Sequence, residues 1–280
     1  MNKWINQIVG KDQSMISYAS PQDKLPKRIL INSVEMATGR RRVEQAYDRL
    51  KAMNIPDVTV WQHLFPLLQV DLSYDRNKLN NIPSHGPLVL IANHPFGVLD
   101  GLALGYLLSH IRSDFRLIVN EVLCREPLLG PYLLPIDFRE DKSAFQTNIN
   151  TRNTAIQTIK DGGSIGIFPS GGVATAPKPF SRQAEDLEWK NFLVKIIKRH
   201  DARIVPIYFH GQNSQLFQIA SHINQNLRLG LLLNEVNNKR GKTLKINIGD
   251  PIHSIDYREM KGNEILDRLR KITFSLAQTT

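Results

Sequence analysis

Leu88-Val89-Leu90-Ile91-Ala92 runs without interruption into Asn93-His94-Pro95-Phe96-Gly97-Val98-Leu99-Asp100-Gly101. The apolar stretch has the length and composition of a strand buried on both faces. Polar and turn-forming residues follow at once, so the strand delivers chemistry at its carboxyl end, where open α/β sheets bind their ligands. Pro95 and Gly97 interrupt any helix that begins at His94, and the spacing predicts a tight turn followed by a helix beginning near Leu99 or Asp100. Such a turn folds the Asp100 carboxylate back toward the His94 imidazole.

Outward from this segment, Phe115–Val119, Ser164–Phe168, Arg203–Phe209 and Leu244–Ile248 repeat the short, Leu/Ile/Val-rich pattern of buried strands. Asn148–Lys160 and Trp189–Arg199 read as helices, the second with Trp189, Phe192, Leu193, Ile196 and Ile197 on one stripe, and Ile265, Leu269, Ile272 and Leu276 mark a closing helix. Alternating strands and helices predict an α/β fold with a mostly parallel sheet flanked by helices. The first eighty residues differ. Val43, Ala46, Tyr47, Leu50 and Met53 recur on one helix face, just after Arg40, Arg41 and Arg42, and the breakers Pro83, His85, Gly86 and Pro87 follow. The expected organisation is an N-terminal helical region over residues 1–80 and an α/β domain over 81–280.

Hydrophobic residues make up 41% of the 280, enough for a sizeable core. The single cysteine, Cys124, excludes an internal disulfide framework and fits a reducing compartment. Met1–Gly10 lacks the continuous apolar block of a secretory signal, and the most apolar stretches, Leu88–Ile111 and Leu128–Ile136, are broken by polar residues and proline. The protein is therefore expected in the cytoplasm, without a membrane span. A net charge of +10 directs it to anionic partners. Its basic residues are scattered and match no nucleic-acid motif, so no nucleic acid is expected; acidic lipid at the inner face of the cytoplasmic membrane is. Trp4, Ile5 and Ile8 would assist peripheral docking or pack internally. The Arg40–Arg42 cluster is either a solvated face or a second lipid contact.

An Asp held against one imidazole nitrogen fixes the tautomer and leaves the other to take a proton from a hydroxyl. His94 and Asp100 are thus candidate catalytic residues, a base without a nucleophile of its own. The structural alternative is that Asp100 only caps a helix while His94 bonds a backbone carbonyl. The remaining histidines show no metal-ligand spacing, so no metal is expected.

The segment Asn93–Gly101 resembles the first motif of the glycerolipid acyltransferase superfamily, which includes the 1-acylglycerol-3-phosphate acyltransferases. It is closest to a bacterial branch linked to ornithine-lipid acyltransferases and hemolysin-like proteins. Five residues separate His94 from Asp100, where the wider superfamily has four. Pro135-Ile136-Asp137-Phe138-Arg139 resembles the second motif, Ile167–Gly172 the third, and Ile204-Val205-Pro206-Ile207 with Gly211-Gln212-Asn213-Ser214 the fourth. Ser170 stands where the third motif commonly has Glu, which points to an acceptor unlike plain lysophosphatidic acid.

The resemblance runs from about residue 85 to 252. It implies transfer of a fatty acyl group from acyl carrier protein or acyl coenzyme A, as co-substrate rather than cofactor, to the hydroxyl of a lysolipid. His94 would be the general base and Asp100 its orienting partner. Asn93, Gly97, Arg139, Phe168, Pro169, Ser170, Gly171 and Pro206 become candidate substrate-binding residues. Arg139 would anchor an acidic headgroup, and Gly97 and Gly171 would bring backbone close to the developing oxyanion. Each motif also has a plainer reading: Arg139 in a solvated charged turn, Phe168–Gly172 as a strand-to-loop turn. Two other functions compete, a serine hydrolase using Ser170, which lacks the Gly-x-Ser-x-Gly setting, and a noncatalytic lipid-binding relative.

Overall fold

A computed structural model describes residues 17–19 and 23–279. Trp4, Ile5 and Ile8 lie outside the described residues. Helices α1 (Leu25–Ala37), α2 (Arg40–Ala52) and α3 (Val60–Leu68) precede a short strand β1 (Asp71–Ser73) and helix α4 (Arg76–Asn80). Then come β2 (Leu88–Ala92), α5 (Val98–Ile111), β3 (Phe115–Asn120), β4 (Leu133–Ile136), α6 (Lys142–Lys160) and β5 (Ser164–Ile167). The chain closes with α7 (Phe192–Arg199), β6 (Arg203–Phe209), α8 (Gln215–Ile223), α9 (Gln225–Asn238), β7 (Thr243–Ile248), β8 (Ile252–His253) and α10 (Gly262–Ser275).

The strands form one sheet in the order β1-β7-β6-β2-β5-β3-β4, with β8 paired to β6. Pairing is parallel except where β6 meets β7 and β8. β2, buried at every residue, is central, so its carboxyl end opens between β5 and β6. Period-two alternation along β2 divides the interior in two. Leu88, Leu90 and Ala92 face α5 and the N-terminal helices, sharing a core with Ile31, Leu50, Trp61, Leu104 and Leu232. Val89 and Ile91 face α6, α7 and α10, with Ala155, Ile159, Leu193, Ile196 and Leu269. α5 is apolar almost all round because it lies between the sheet and the N-terminal helices.

Several local expectations change. β1, β4 and β8 are strands the apolar pattern did not announce, being short or, for β4, carrying Pro135 at the sheet edge, where a missing donor is tolerated. α6 begins at Lys142 because Asp141 caps it, its carboxylate accepting from the Ala144 amide at 2.8 Å. α7 begins only at Phe192, and Trp189 stands outside it. Arg40 is not a solvated residue of its cluster. It is 1% exposed, and its guanidinium donates to Asn32 at 2.9 Å and to Glu35 at 3.2 Å.

The N-terminal helices reach the sheet's helical layer through one contact of note. A Cβ at Gly105 would lie 2.2 Å from the Trp61 ring, so α3 and α5 approach closely only because Gly105 has no side chain. Gly105→Ala should therefore displace a buried indole, and the loss outweighs the roughly 1 kcal/mol of helix propensity that alanine adds. A net destabilisation of about 2 kcal/mol, a fall in Tm of about 4–8 °C in thermal unfolding, is expected. Among the described residues no helix is long and apolar enough to cross a membrane.

Candidate active site

At the end of β2 the chain turns through Asn93–Gly97 and enters α5. Gly97 has φ 86° and ψ −100°, a conformation closed to other residues, and a Cβ there would also strike Leu232 and Val173 at 2.9 and 3.0 Å. The turn brings Asp100, one helical turn on, back over His94. Asp100 is fully buried, and its Oδ2 accepts from His94 Nδ1 at 2.9 Å, from the Phe96 amide at 2.7 Å and from the Gly97 amide at 2.9 Å. The five-residue separation is thus accommodated: the additional residue lies in a turn whose amides bind the same oxygen. A carboxylate oxygen only accepts, so the His94 proton sits on Nδ1 and the lone pair on Nε2. The imidazole is 15% exposed and stacks on Phe168, centroids 4.0 Å apart and planes 20° apart.

Asp186 was not anticipated from the sequence. Its Oδ1 accepts from the His94 amide at 3.1 Å and its Oδ2 from the Trp189 indole at 2.9 Å, fixing the backbone beneath the base from ninety-two residues away. Burial pushes its carboxyl up, and the bonds from Trp189 and His94 oppose that. The Ala174 amide donates to the His94 carbonyl at 2.7 Å, so the Gly171–Trp189 connection wraps the turn.

Asn93 and the third-motif residues belong to this framework in ways the sequence did not specify. The Asn93 amide donates to the Phe209 carbonyl at 2.9 Å and accepts from the Phe209 amide at 2.7 Å, which ties β2 to β6 and leaves little for a substrate. The Gly97 amide is used by Asp100 and the Gly171 amide by the Phe168 carbonyl at 2.9 Å, so neither is a free oxyanion donor as expected. Gly171, at φ 68°, keeps the turn tight. Pro169 accepts through its carbonyl from the Lys190 amide at 2.9 Å. Ser170 is fully buried, donates to the Gly172 carbonyl at 3.1 Å and lies within hydrogen-bonding reach of Asp186. That is a turn-forming role, not the setting of a nucleophile.

Arg139 and Pro206 lie apart from the dyad. Arg139 follows β4, three strands from β2 in the sheet, a lateral offset of roughly 14 Å. Its Nε donates to Asp137 at 3.0 Å and its guanidinium also faces Glu121 and Asp141, so its charge is largely answered by protein carboxylates. These bonds hold the buried Asp137 carboxyl below the usual range. Pro206 is in mid-strand, opposite Ile91, where β6 changes partner from β8 to β7. Lacking an amide proton suits it to that gap. Cys124 is half-buried, and burial pushes its thiol up to about 12, which leaves it no nucleophilic part.

Beside the dyad lies an apolar channel open to the surface. Val98 and Gly101 line it on α5, flanking Leu99 and Asp100, while Leu117 and Val119 line it from β3 and Leu64 and Leu67 from α3. The helical turn that carries Asp100 thus forms part of the channel wall through Val98 and Gly101.

An α/β sheet with a carboxylate-oriented histidine at the end of its central strand, next to an apolar channel, has the form of a ligand site suited to an apolar group. The family described as Acyltransferase matches residues 55–279. The chain belongs to this family, within the glycerolipid acyltransferase superfamily. It is 31% identical over 191 residues to a lyso-glycine lipid O-acyltransferase of Phocaeicola vulgatus, covering 65% of each chain. It is 29% identical over 192 residues to a protein of the same name from Bacteroides thetaiotaomicron, covering 65% of this chain and 67% of that one. A 1-acyl-sn-glycerol-3-phosphate acyltransferase of Bacillus subtilis is 26% identical over 205 residues, covering 71% and 81%. The match thus spans just under two thirds of the Phocaeicola relative's length. In fold, the chain is similar to the 1-acyl-sn-glycerophosphate acyltransferase PlsC of Thermotoga maritima, with a TM-score of 0.50 at 15% identity over 98% of this chain and 90% of that one.

Proposed function

We propose that this protein is an O-acyltransferase that moves a fatty acyl group from a thioester, carried by acyl carrier protein or coenzyme A, to the hydroxyl of a lysolipid. The observation that carries the reading is the 2.9 Å bond from His94 Nδ1 to Asp100, on a helical turn whose Val98 and Gly101 line the apolar channel. Nε2 takes the hydroxyl proton as the oxygen attacks the thioester carbonyl. The tetrahedral intermediate collapses to an ester and a thiolate, and the proton on Nε2 passes to the departing sulfur. Asp100 stabilises the imidazolium in between. The channel holds the acyl chain, and the positive end of α5 faces the developing oxyanion.

The relatives named for lyso-glycine lipid support an acceptor whose headgroup is an amino acid. Net charge +10 and the exposed Phe180, Leu216 and Ile223 support peripheral binding to acidic lipid on the inner face of the cytoplasmic membrane. The test is transfer of labelled acyl chains from either donor to lyso-glycine lipid, lyso-ornithine lipid and lysophosphatidic acid presented in vesicles. Ester formation on an amino-acid lysolipid is expected. Binding of lysolipid without transfer from any donor would overturn the reading in favour of a noncatalytic lipid-binding protein.

A further inference from the structure

The channel wall is apolar except at three residues, and each of the three carries a buried polar atom with no partner among the described residues. Glu126 follows the short helical turn Glu121–Arg125 and is 5% exposed. Its Oε2 accepts from the Leu128 and Leu129 amides at 2.9 and 3.2 Å, which fixes the side chain. Its Oε1 is buried with no hydrogen-bond partner among the described residues. The same holds for the indole Nε1 of Trp61, a residue 1% exposed, and for the hydroxyl of Tyr47, and all three residues line the channel. A buried polar atom without a partner is costly, and an orphaned carboxyl oxygen more so than most. Other buried polar atoms of the described residues also lack partners, Asp100 Oδ1 and Gln218 Nε2 among them, but the channel brings three together on one wall. Three of them on one otherwise greasy wall point to a ligand that completes them.

The chemistry of the three restricts that ligand. Trp61 only donates, Tyr47 donates or accepts, and the free carboxyl oxygen of Glu126 accepts from a donor. An anionic group would meet no cation on this wall, and a plain hydrocarbon would leave all three unpaired. A hydroxyl both accepts and donates, and it is small enough to ride on a hydrocarbon chain. We propose that the channel selects acyl chains carrying a hydroxyl group, with Glu126 as the specificity-determining residue and Trp61 and Tyr47 as its auxiliaries. The proposal rests on the channel being the acyl site of the transferase described above.

The experiment compares hexadecanoyl thioesters with their β-hydroxy, mid-chain-hydroxy and ω-hydroxy forms, using wild type, Glu126→Gln and Glu126→Leu. In parallel, the corresponding free acids displace a fluorescent fatty acid from each protein, which reads chain preference without turnover. Wild type should favour one hydroxylated isomer by about 10-fold in kcat/KM and in displacement, the yield of a well-made buried hydrogen bond. Glu126→Gln keeps an acceptor for the Leu128 and Leu129 amides and should retain most of that preference. Glu126→Leu should abolish or invert it. Equal use of all chains by wild type, or a preference that survives in Glu126→Leu, would overturn the proposal and leave Glu126 as a turn cap. Absence of transfer with selective displacement intact would instead overturn the transferase reading and sustain the selection of hydroxylated chains.

Discussion

Replacing His94 with alanine should lower acyl transfer by about 100- to 10,000-fold, the contribution of a positioned general base. The effect should fall on kcat with little change in KM for the thioester, as the proposed seat of the chain in the channel requires. Stability should change little. The ring lies at the rim, 15% exposed, and its loss removes one stacking contact with Phe168 without opening a cavity in either core. The backbone of residue 94 keeps its bonds to Asp186 and Ala174. The Asp100 carboxylate keeps the Phe96 and Gly97 amides, so the turn survives. Steady-state transfer to a lysolipid together with thermal unfolding checks both halves. Transfer that persists within a few-fold of wild type would remove His94 from the chemistry and reduce the dyad to a helix cap.

Gly101→Phe should abolish transfer of long acyl chains while leaving that of short ones nearly intact. Gly101 lies on α5 directly after Asp100 and lines the channel, and a Cβ built there meets nothing within 4 Å. The Cβ therefore enters open space and the ring beyond it projects toward the channel, while replacing glycine inside a helix favours the helix. A phenyl group occupies much of the section through which a hydrocarbon chain must pass. For hexadecanoyl donors the expected loss in kcat/KM is about 100-fold, equivalent to forfeiting the burial of several methylenes at about 0.8 kcal/mol each. Butanoyl donors should be used within a few-fold of wild type. Competition between the two chain lengths measures the change directly. Equal loss for both lengths would mean that the substitution disturbs Asp100 instead, and an unchanged ratio would place the acyl chain outside this channel.

How much of this was legible in the sequence follows from how local each feature is. The dyad lies within seven consecutive residues, His94 to Asp100, and the turn joining them is dictated by Pro95 and Gly97, so its geometry could be anticipated. The central strands were equally plain, since burial on both faces leaves an unbroken apolar run. Edge elements such as β1 and β8 carry no such run and were missed. The role of Asp186 depends on a loop returning across ninety-two residues, and the channel draws its wall from residues as distant as Val43 and Leu233. Periodicity holds no record of such encounters. Arg139, Asn93 and Gly171 show the opposite limit. Their positions in the motifs were recognisable, but whether their polar atoms are free depends on neighbours such as Asp137 and the Phe168 and Phe209 backbones, which only the folded chain supplies.

The alternation along β2, which sends Leu90 to one core and Ile91 to the other, also determines what can change independently during descent. Channel walls come from the layer that holds α2, α3 and α5, while the layer built on α6, α7 and α10 touches the sheet from behind. Substitutions in that rear layer answer to folding and, at Trp189, to the support of the His94 backbone through Asp186. Those in the front layer answer also to the lipids a cell happens to make. With the chain seated as proposed, a lineage can change its chain preference by altering the front layer while the His94–Asp100 turn stays as it is.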